Sequence, residues 1–361
     1  MRSVHFRAHR RPGWSGALVL AALSAGCAAT APSAPLAEET LLVLNSGDAT
    51  LTVLSISQPG PGRVIIMGNI GGTPLALAAR GPNGLVTSGA GSTVAVINLS
   101  DEGSVLVYRL PAGAGAAGAA FVNDTLAYVA NPFNDRATRL NLKTGDTVSV
   151  AAGRTPSAVV VTRGRVFVAN ANLEPLCAGP PPCVTGASWL TVIDPERNTV
   201  LDSIPLPGPG NANAMLVGPD GLIYVMNAGP GGEEPGRLSI VDPVLRQEVG
   251  SFAGFGALPG RLATDGRERL FIVSPSQGLM EFNTRTRRVV RGEGAGIPLV
   301  NGTAAAVDAG AQVYAVESGP CTTGGTGRVR IFRPDLTEAR VVPSGACSSD
   351  AAIVNLPPPA P

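Results

Sequence analysis

Few side chains in this sequence could carry out catalysis, and they restrict the available chemistry to carboxylate, arginine and amide groups. The only histidines are His5 and His9, and Lys143 is the only lysine. Both histidines lie in an N-terminal segment that we expect to be removed. The rest of the chain therefore lacks the residues for Ser-His-Asp or Cys-His catalysis and for imidazole-bound metals. No G-x-x-x-x-G-K phosphate loop occurs. We expect no resident cofactor, with an oxygen-ligated calcium ion as the open alternative.

The N-terminal segment has the features of a secretory signal. Four arginines precede the apolar run 17–23, which is too short to span a bilayer. The run ends in Leu23-Ser-Ala-Gly-Cys27, which resembles a bacterial lipobox, although Ser24 stands where that motif has a large apolar residue. The resemblance implies cleavage before Cys27 and acylation of its sulfur. Ala28, rather than Asp, favours the outer membrane of a Gram-negative envelope. An ordinary signal peptide is the alternative.

These features predict four segments. Residues 1–26 form the signal peptide, 27–39 the acylated cysteine with a flexible tether, 40–354 the folded domain, and 355–361 a proline-rich tail. Removal of residues 1–26 changes the formal charge from +1 to −3, because 23 basic residues then face 26 acidic ones. A net negative chain is a poor non-specific binder of nucleic acid. We expect the membrane, through the lipid anchor, and a protein or small molecule as partners.

Four further cysteines have the spacing of structural disulfides. An even number of cysteines in an exported chain favours disulfide bonds, with free thiols as the alternative. Cys177 and Cys183 enclose the rigid segment AGPPP, which favours a local pairing and leaves Cys321 to pair with Cys347. Neither pair has the spacing of a zinc site.

A repeat of about 43 residues runs through the chain. Short β-rich runs such as LLVLN, AYVAN, VFVAN and IYVMN recur and end, in order, at Asn45, Ser88, Asn131, Asn170, Asn227, Ser274 and Glu317. A polar loop and a second run follow each, for example LTVID and LSIVD, then a third run and a fourth made of small residues. No stretch has a sustained helical period. Each unit therefore predicts four short strands separated by turns.

Seven such units predict an all-β, seven-bladed β-propeller. The small-residue strand should be innermost, where the blades crowd together. The chain begins with only the outer three strands of its first unit, and the missing inner strand appears at residues 348–354. Pairing of this C-terminal strand with the N-terminal strands would close the ring and remove its open edges.

The repeat also carries a family resemblance. The motifs YVAN, YVMN, LTVID-Pro and LSIVD-Pro, together with Gly153-Arg-Thr-Pro156, resemble YVTN-type (YncE-like) β-propeller repeats over about residues 40–354. The resemblance implies a propeller similar to those of amine-dehydrogenase large subunits and of bacterial surface proteins. It implies little about chemistry. Asp194 and Asp242, each followed by proline, are expected to form turns.

Candidate binding residues follow from the predicted topology. In an up-and-down blade, the loops between the second and third strands and the loops between blades lie on one face, and both cysteine pairs fall in such loops. Binding usually involves loops on a rigid scaffold. The candidates at the axial mouth or in these loops are Ser157, Asn213, Arg261, Thr303, Asp350 and Glu317. The alternative for Arg261 and Asp350 is a structural ion pair that lines the channel.

Three functions remain open. The favoured one is a membrane-anchored propeller of the cell envelope that binds or scaffolds a partner without catalysis of its own. The second is a lactonase-like hydrolase that uses carboxylates, asparagines and calcium at the axial mouth. The third is the propeller subunit of a periplasmic dehydrogenase or electron-transfer complex, which would need a partner to supply the cofactor.

Overall fold

The computed structural model describes residues 38–57, 60, 62–101, 103–174, 182–230, 234–322 and 324–356. These residues form seven four-stranded antiparallel sheets, and their one helical element is a single 3-10 turn, η1 (Leu99–Asp101). A seven-bladed β-propeller is therefore confirmed. Its strands begin two residues before and end two residues after the predicted limits of 40 and 354.

The strands follow one another from the inner to the outer edge of each blade. Blade 1 contains β1 (Glu38–Asn45), β2 (Thr50–Ser55) and β3 (Arg63–Ile66). Blade 2 contains β4 (Leu77–Arg80), β5 (Asn83–Thr87), β6 (Thr93–Asn98) and β7 (Ser104–Arg109). Blade 3 contains β8 (Ala119–Asn123), β9 (Leu126–Asn131), β10 (Arg136–Asn141) and β11 (Thr147–Ala151). Blade 4 contains β12 (Pro156–Thr162), β13 (Arg165–Asn170), β14 (Ser188–Asp194) and β15 (Thr199–Leu206).

The remaining blades have the same order. Blade 5 contains β16 (Ala212–Val217), β17 (Ile223–Asn227), β18 (Arg237–Asp242) and β19 (Gln247–Phe252). Blade 6 contains β20 (Leu262–Thr264), β21 (Arg269–Ser274), β22 (Gly278–Asn283) and β23 (Arg288–Arg291). Blade 7 contains β24 (Gly302–Val307), β25 (Val313–Glu317), β26 (Arg328–Phe332) and β27 (Glu338–Pro343). The last strand, β28 (Ser348–Leu356), belongs to blade 1.

The ring closes through β28. This strand pairs antiparallel with β1, from Glu38 opposite Leu356 to Asn45 opposite Ser348, and supplies the inner strand that blade 1 lacks. A single register irregularity occurs between Leu44 and Asn45. The predicted closure by the C-terminal strand is consistent with this pairing, which leaves neither β1 nor β28 as an inner edge open to other chains.

The core lies between neighbouring blades, and the second strand of each blade contributes both of its faces. Leu42 and Leu44 pack toward blade 2, whereas Leu41 and Val43 pack toward blade 7. All four side chains are fully buried. Successive residues of a strand point to opposite faces, so a strand covered on both faces must be apolar at every position. This requirement explains the continuous runs that define the repeat.

The residues at the end of the second strand join it to the third strand. The amides of Asn45, Asn170 and Asn227 donate to hydroxyl groups two or three positions into the third strand, at 2.9 Å to Thr52, 3.0 Å to Thr191 and 2.9 Å to Ser239. In blade 3 the hydroxyl of Thr138 donates to Asn131 instead. A buried amide without such a partner would destabilise the fold. The pairing gives a physical reason for the combination of a terminal asparagine with LTV or LSI in the next run.

The two faces of the ring carry different sets of loops. The disulfide face carries the loops between second and third strands and the loops between blades. The N-terminal face carries the other loops, and β1 begins there at Glu38. Because β1 and β28 run in opposite directions, β28 ends on the N-terminal face at Leu356.

The closure of the ring is testable by two truncations. Deletion of residues 348–361 removes β28, so it should expose β1 and one side of the neighbouring inner strands and cause aggregation. Deletion of residues 357–361 leaves every strand intact and should give a soluble protein. Size-exclusion chromatography and thermal melts compare the two. A longer truncation that remains monomeric with the wild-type melting temperature would contradict the closure.

Candidate functional site

A disulfide joins two loops on one face of blade 7. Cys321 follows β25 and Cys347 precedes β28, and the two cysteines are bonded to each other with their Cα atoms 4.4 Å apart. The bond ties blade 7 to the strand that closes blade 1. The predicted pairing is confirmed. Cys183, in the corresponding loop of blade 4, is also disulfide-bonded. Its predicted partner Cys177 and the predicted lipidation site Cys27 lie outside the described residues.

A cavity of about 370 Å³ opens at the axial mouth on the disulfide face. Three of the sequence-predicted candidates, Asn213, Arg261 and Thr303, contribute to its wall, together with Leu258 and Ser349. A narrower cavity of about 160 Å³ lies further along the axis and is lined mainly by alanine and other small residues of the inner strands. The small-residue strands thus surround the axis, as the sequence predicted.

Arg261 and Asp350 form an ion pair between the inner strands. Nη2 of Arg261 lies 3.5 Å from Oδ2 of Asp350 and donates to the carbonyl oxygen of Leu75, 3.2 Å away in the loop before blade 2. The same carboxylate oxygen accepts the backbone N–H of Leu77 at 2.9 Å. Arg261 belongs to blade 6, so this side chain connects non-adjacent blades across the axis. The structural ion pair, which was the alternative for these two residues, is present.

Asn213 has one unused hydrogen-bonding atom at the mouth. Its Nδ2 donates to the carbonyl oxygen of Pro259 at 3.0 Å and links blade 5 to blade 6. Its Oδ1 is buried and has no hydrogen-bond partner among the described residues. An unpaired buried acceptor costs roughly 1–3 kcal/mol. A ligand or water that donates a hydrogen bond at this point would remove that cost.

Ser157 and Thr303 link adjacent blades. The hydroxyl of Ser157 donates to the carbonyl oxygen of Ala212 in blade 5, and the hydroxyl of Thr303 donates to the carbonyl oxygen of Ser348 at 2.9 Å. Gly118 allows an equally close approach between blades 3 and 4, because a Cβ there would lie 2.6 Å from the carbonyl oxygen of Ser157. Most candidates at the inner strands therefore hold the ring together as well as face the axis.

Glu317 is buried inside blade 7. It is 2% exposed, and its carboxylate accepts the backbone N–H of Val300 at 2.9 Å and pairs with Arg328 and, at 3.5 Å, with Arg330. Arg330 occupies the third-strand position that Thr52 holds in blade 1. The Glu317–Arg330 ion pair thus replaces the amide–hydroxyl pair of blades 1, 3, 4 and 5. This carboxylate also raises the pKa of Arg328 through its side-chain hydrogen bond.

Exposed apolar side chains that were not predicted from the sequence lie in loops near the inner strands. Leu75, Leu258 and Val300 lie in loops between blades and are 43%, 42% and 62% exposed. Each lies within a few residues of an inner strand, so the propeller topology brings them close to the axis. Their position in the repeat, between a fourth and a first strand, was the signal that could have identified them.

The described residues include few groups that could bind a metal. No three His, Cys, Asp or Glu side chains in these ranges lie close enough to hold a metal ion together. At the mouth and in the axial cavity, Asp350 is the carboxylate among the lining residues.

No helix within the described part of the chain has the length and hydropathy needed to cross a bilayer.

Solved structures resemble this chain over most of its length. A structure of Kuenenia stuttgartiensis hydrazine synthase has a TM-score of 0.59 at 15% identity, covering 77% of this chain and 89% of that one. A functionally unknown protein from Desulfotomaculum acetoxidans DSM 771 has a TM-score of 0.65 at 13% identity, with 88% and 99% covered. Apo AztD from Citrobacter koseri has a TM-score of 0.56 at 11% identity, with 88% and 98% covered. At these identities the similarity shows the fold alone.

No family model and no curated protein matches this chain. The YVTN-type resemblance therefore remains an expectation from the repeat motifs.

The disulfide of blade 7 should stabilise the ring more than the predicted local one. Replacing Cys321 and Cys347 by serine opens a link with a sequence separation of 26, which should cost about 3 kcal/mol of unfolding free energy by the chain-entropy estimate. The Cys177→Ser/Cys183→Ser variant releases only five intervening residues and should lose less. Denaturant unfolding of both variants measures the difference. Equal losses would contradict this account of the blade 7 bond.

Proposed function

We propose that this protein is a lipid-anchored β-propeller of the cell envelope that binds a partner on its disulfide face and has no catalysis of its own. The main support is the cavity of about 370 Å³ at the axial mouth, whose wall combines the polar side chains of Asn213, Arg261 and Thr303 with the exposed apolar side chain of Leu258. Ligand sites commonly combine an apolar surround with a few oriented polar groups.

The nature of the rim favours a protein or peptide as the partner. Leu258 is exposed beside Arg261 in the cavity wall, and Leu75 and Val300 are exposed in other loops between blades. Interface cores are more apolar than their rims and are enriched in arginine, while lysine and acidic residues are depleted. The disulfide and the links between blades keep this surface rigid, which lowers the entropy lost on binding.

The anchoring part of the proposal is supported by the sequence around Cys27. A charged segment, a short apolar run and Leu23-Ser-Ala-Gly-Cys27 precede the propeller. Acyl chains contribute about 0.8 kcal/mol for each buried CH₂ group, and two or more chains hold a protein durably on a membrane. The absence of Asp after Cys27 supports placement in the outer membrane.

The two enzymatic alternatives have less support. A calcium-dependent hydrolase of the lactonase type needs several oxygen ligands at the mouth, and Asp350 already pairs with Arg261 and accepts the Leu77 N–H. An electron-transfer role needs a partner that carries the cofactor. The similarity to a hydrazine synthase structure, at 15% identity, concerns the fold and gives no support to this role.

Anchoring is tested by replacement of Cys27. The native protein should float with membranes and carry the mass of an acylated chain that begins at Cys27. The Cys27→Ser variant has no sulfur to acylate, so it should be recovered uncleaved or in the soluble fraction. Intact-mass analysis and membrane fractionation measure both properties. A native N-terminus downstream of residue 27 without acyl mass would contradict the proposal.

Partner binding is tested by changing the apolar rim. The immobilised wild-type protein should retain a partner from a mixture of envelope proteins. The Leu258→Glu/Val300→Glu variant should retain at least tenfold less of it, because a charge introduced into an interface opposes its desolvation. The matched control is Leu106→Glu/Val107→Glu on an outer strand, where the side chains are 60% and 46% exposed. Quantitative mass spectrometry compares the retained proteins. Equal retention by both variants would show that the mouth is not the binding surface.

A further inference from the structure

The N-terminal face carries a surface that the proposed partner site does not use. It consists of two neighbouring loop tips, residues 242–247 in blade 5 and residues 283–288 in blade 6, and is called the basic–apolar patch below. At the first tip, Val244 is 67% exposed and Leu245 is 62% exposed. The second tip has the sequence Asn-Thr-Arg-Thr-Arg-Arg.

The apolar residues at the first tip are not required by the turn that carries them. Oδ1 of Asp242 accepts the backbone N–H groups of Val244 and Leu245 at 2.8 and 2.9 Å and fixes the turn. In blade 4, Asp194 accepts the N–H groups of Glu196 and Arg197 at 2.9 and 3.2 Å in the same way. An equivalent Asp-Pro turn therefore forms with two charged residues. The turn therefore leaves the choice of residues at these two positions open, and in blade 5 they form an exposed apolar pair.

Arginines surround this apolar tip. Arg287 donates to the carbonyl oxygen of Val249 at 3.5 Å, which places the blade 6 tip against blade 5. Neither Arg287 nor Arg288 has a carboxylate within 4 Å among the described residues, and both are exposed. Arg246 and Arg285 pair with Asp202 at 3.4 Å and Glu268 at 2.6 Å.

The loop at the same position in blade 2 has a different character. The corresponding loop of blade 2, residues 98–104, contains Asp101 and Glu102 and no basic residue. Leu99 in that loop is only 5% exposed. The combination of exposed aliphatic side chains with unpaired arginines is therefore absent from the blade 2 loop and is not a requirement of the repeat.

The segment that joins residue 27 to the first strand also points to this face. The first described strand begins at Glu38 on this same face, so residue 27 is joined to the N-terminal face by eleven residues, 28–38. At about 3.3–3.6 Å per residue such a segment reaches at most about 40 Å. A membrane that holds Cys27 would therefore lie within reach of this face.

We propose that the basic–apolar patch docks on a bilayer surface rich in anionic headgroups. Val244 and Leu245 insert into the interface, and Arg287 and Arg288 contact lipid phosphates. Interfacial binding scales with buried apolar area plus attraction to anionic lipid. With the patch on the bilayer, the disulfide face points away from it. The orientation rests on the proposed anchoring at Cys27, whereas the lipid affinity of the patch does not.

The test uses the chain from residue 28, which lacks the acylation site and contains every described strand. It should co-sediment with vesicles of an equal mixture of phosphatidylcholine and phosphatidylglycerol and bind pure phosphatidylcholine at least tenfold more weakly. Binding should weaken as salt is added, because screening reduces headgroup attraction. The Arg287→Gln/Arg288→Gln variant should bind the mixed vesicles about fivefold more weakly for each arginine removed.

A second variant isolates the apolar contribution. Val244→Glu/Leu245→Arg gives the tip the residues of blade 4 without a change in net charge, so the turn should persist while vesicle binding falls at least tenfold. The control is the equally charge-neutral Leu106→Glu/Val107→Arg on the outer strand of blade 2, where the side chains are 60% and 46% exposed; it should bind as wild type does. Circular dichroism and thermal melts establish that all variants fold.

Two outcomes would overturn the docking proposal. One is no preference of the unacylated chain for anionic vesicles, and the other is equal loss of binding in the Leu106→Glu/Val107→Arg control and the tip variant. Failure of lipidation would be visible separately, in the mass of the native protein. Loss of protein–protein retention in the tip variant with unchanged vesicle binding would assign the patch to a protein partner instead.

Discussion

Every blade of this propeller has to be covered on both faces by its neighbours, and this constraint governs the rest of the structure. The second strands are apolar at consecutive positions because Leu41 and Val43 face one neighbour while Leu42 and Leu44 face the other. A blade that lacked a neighbour on one side would expose an apolar face to water. The ring therefore has to close, and the pairing of β28 with β1 completes the blade at which it does so.

Polar groups in such a ring are placed where the strands end. The amide–hydroxyl pairs of Asn45 with Thr52 and of Asn170 with Thr191 lie at the disulfide face and hold the second and third strands together. Blade 7 uses the ion pair of Glu317 with Arg330 in the same place. Most of the polar residues that distinguish the repeat therefore stabilise blades. The residues available for binding therefore lie in the loops and at the axial mouth, where the side chains of the inner strands leave a cavity.

The two faces of the ring differ in their loops and charges, and each suits one of the two proposed roles: partner binding on the disulfide face and membrane attachment on the N-terminal face. On the disulfide face, the Cys321–Cys347 bond and the links from Asn213 and Thr303 fix the loops around the mouth. On the N-terminal face, the chain begins at Glu38 and the arginine-rich tip of blade 6 lies beside exposed Val244 and Leu245. Attachment to a membrane through one face leaves the other accessible, so the two functions need not compete for one surface.

The sequence by itself determined the fold, the number of blades, the closing strand and the Cys321–Cys347 bond. These depend on short apolar runs, repeat spacing and loop placement, which are local or countable features of the chain. The order of strands in the sequence also placed Asn213, Arg261 and Thr303 near the axis, because each lies at or next to the start of an inner strand. Only the tertiary structure decided that Arg261 reaches Leu75 and Asp350, that Glu317 is buried, and that Leu258 lines a cavity at the mouth. Those contacts join residues from different blades, and the physical reason they escape sequence analysis is that side-chain packing between blades leaves no periodic signal.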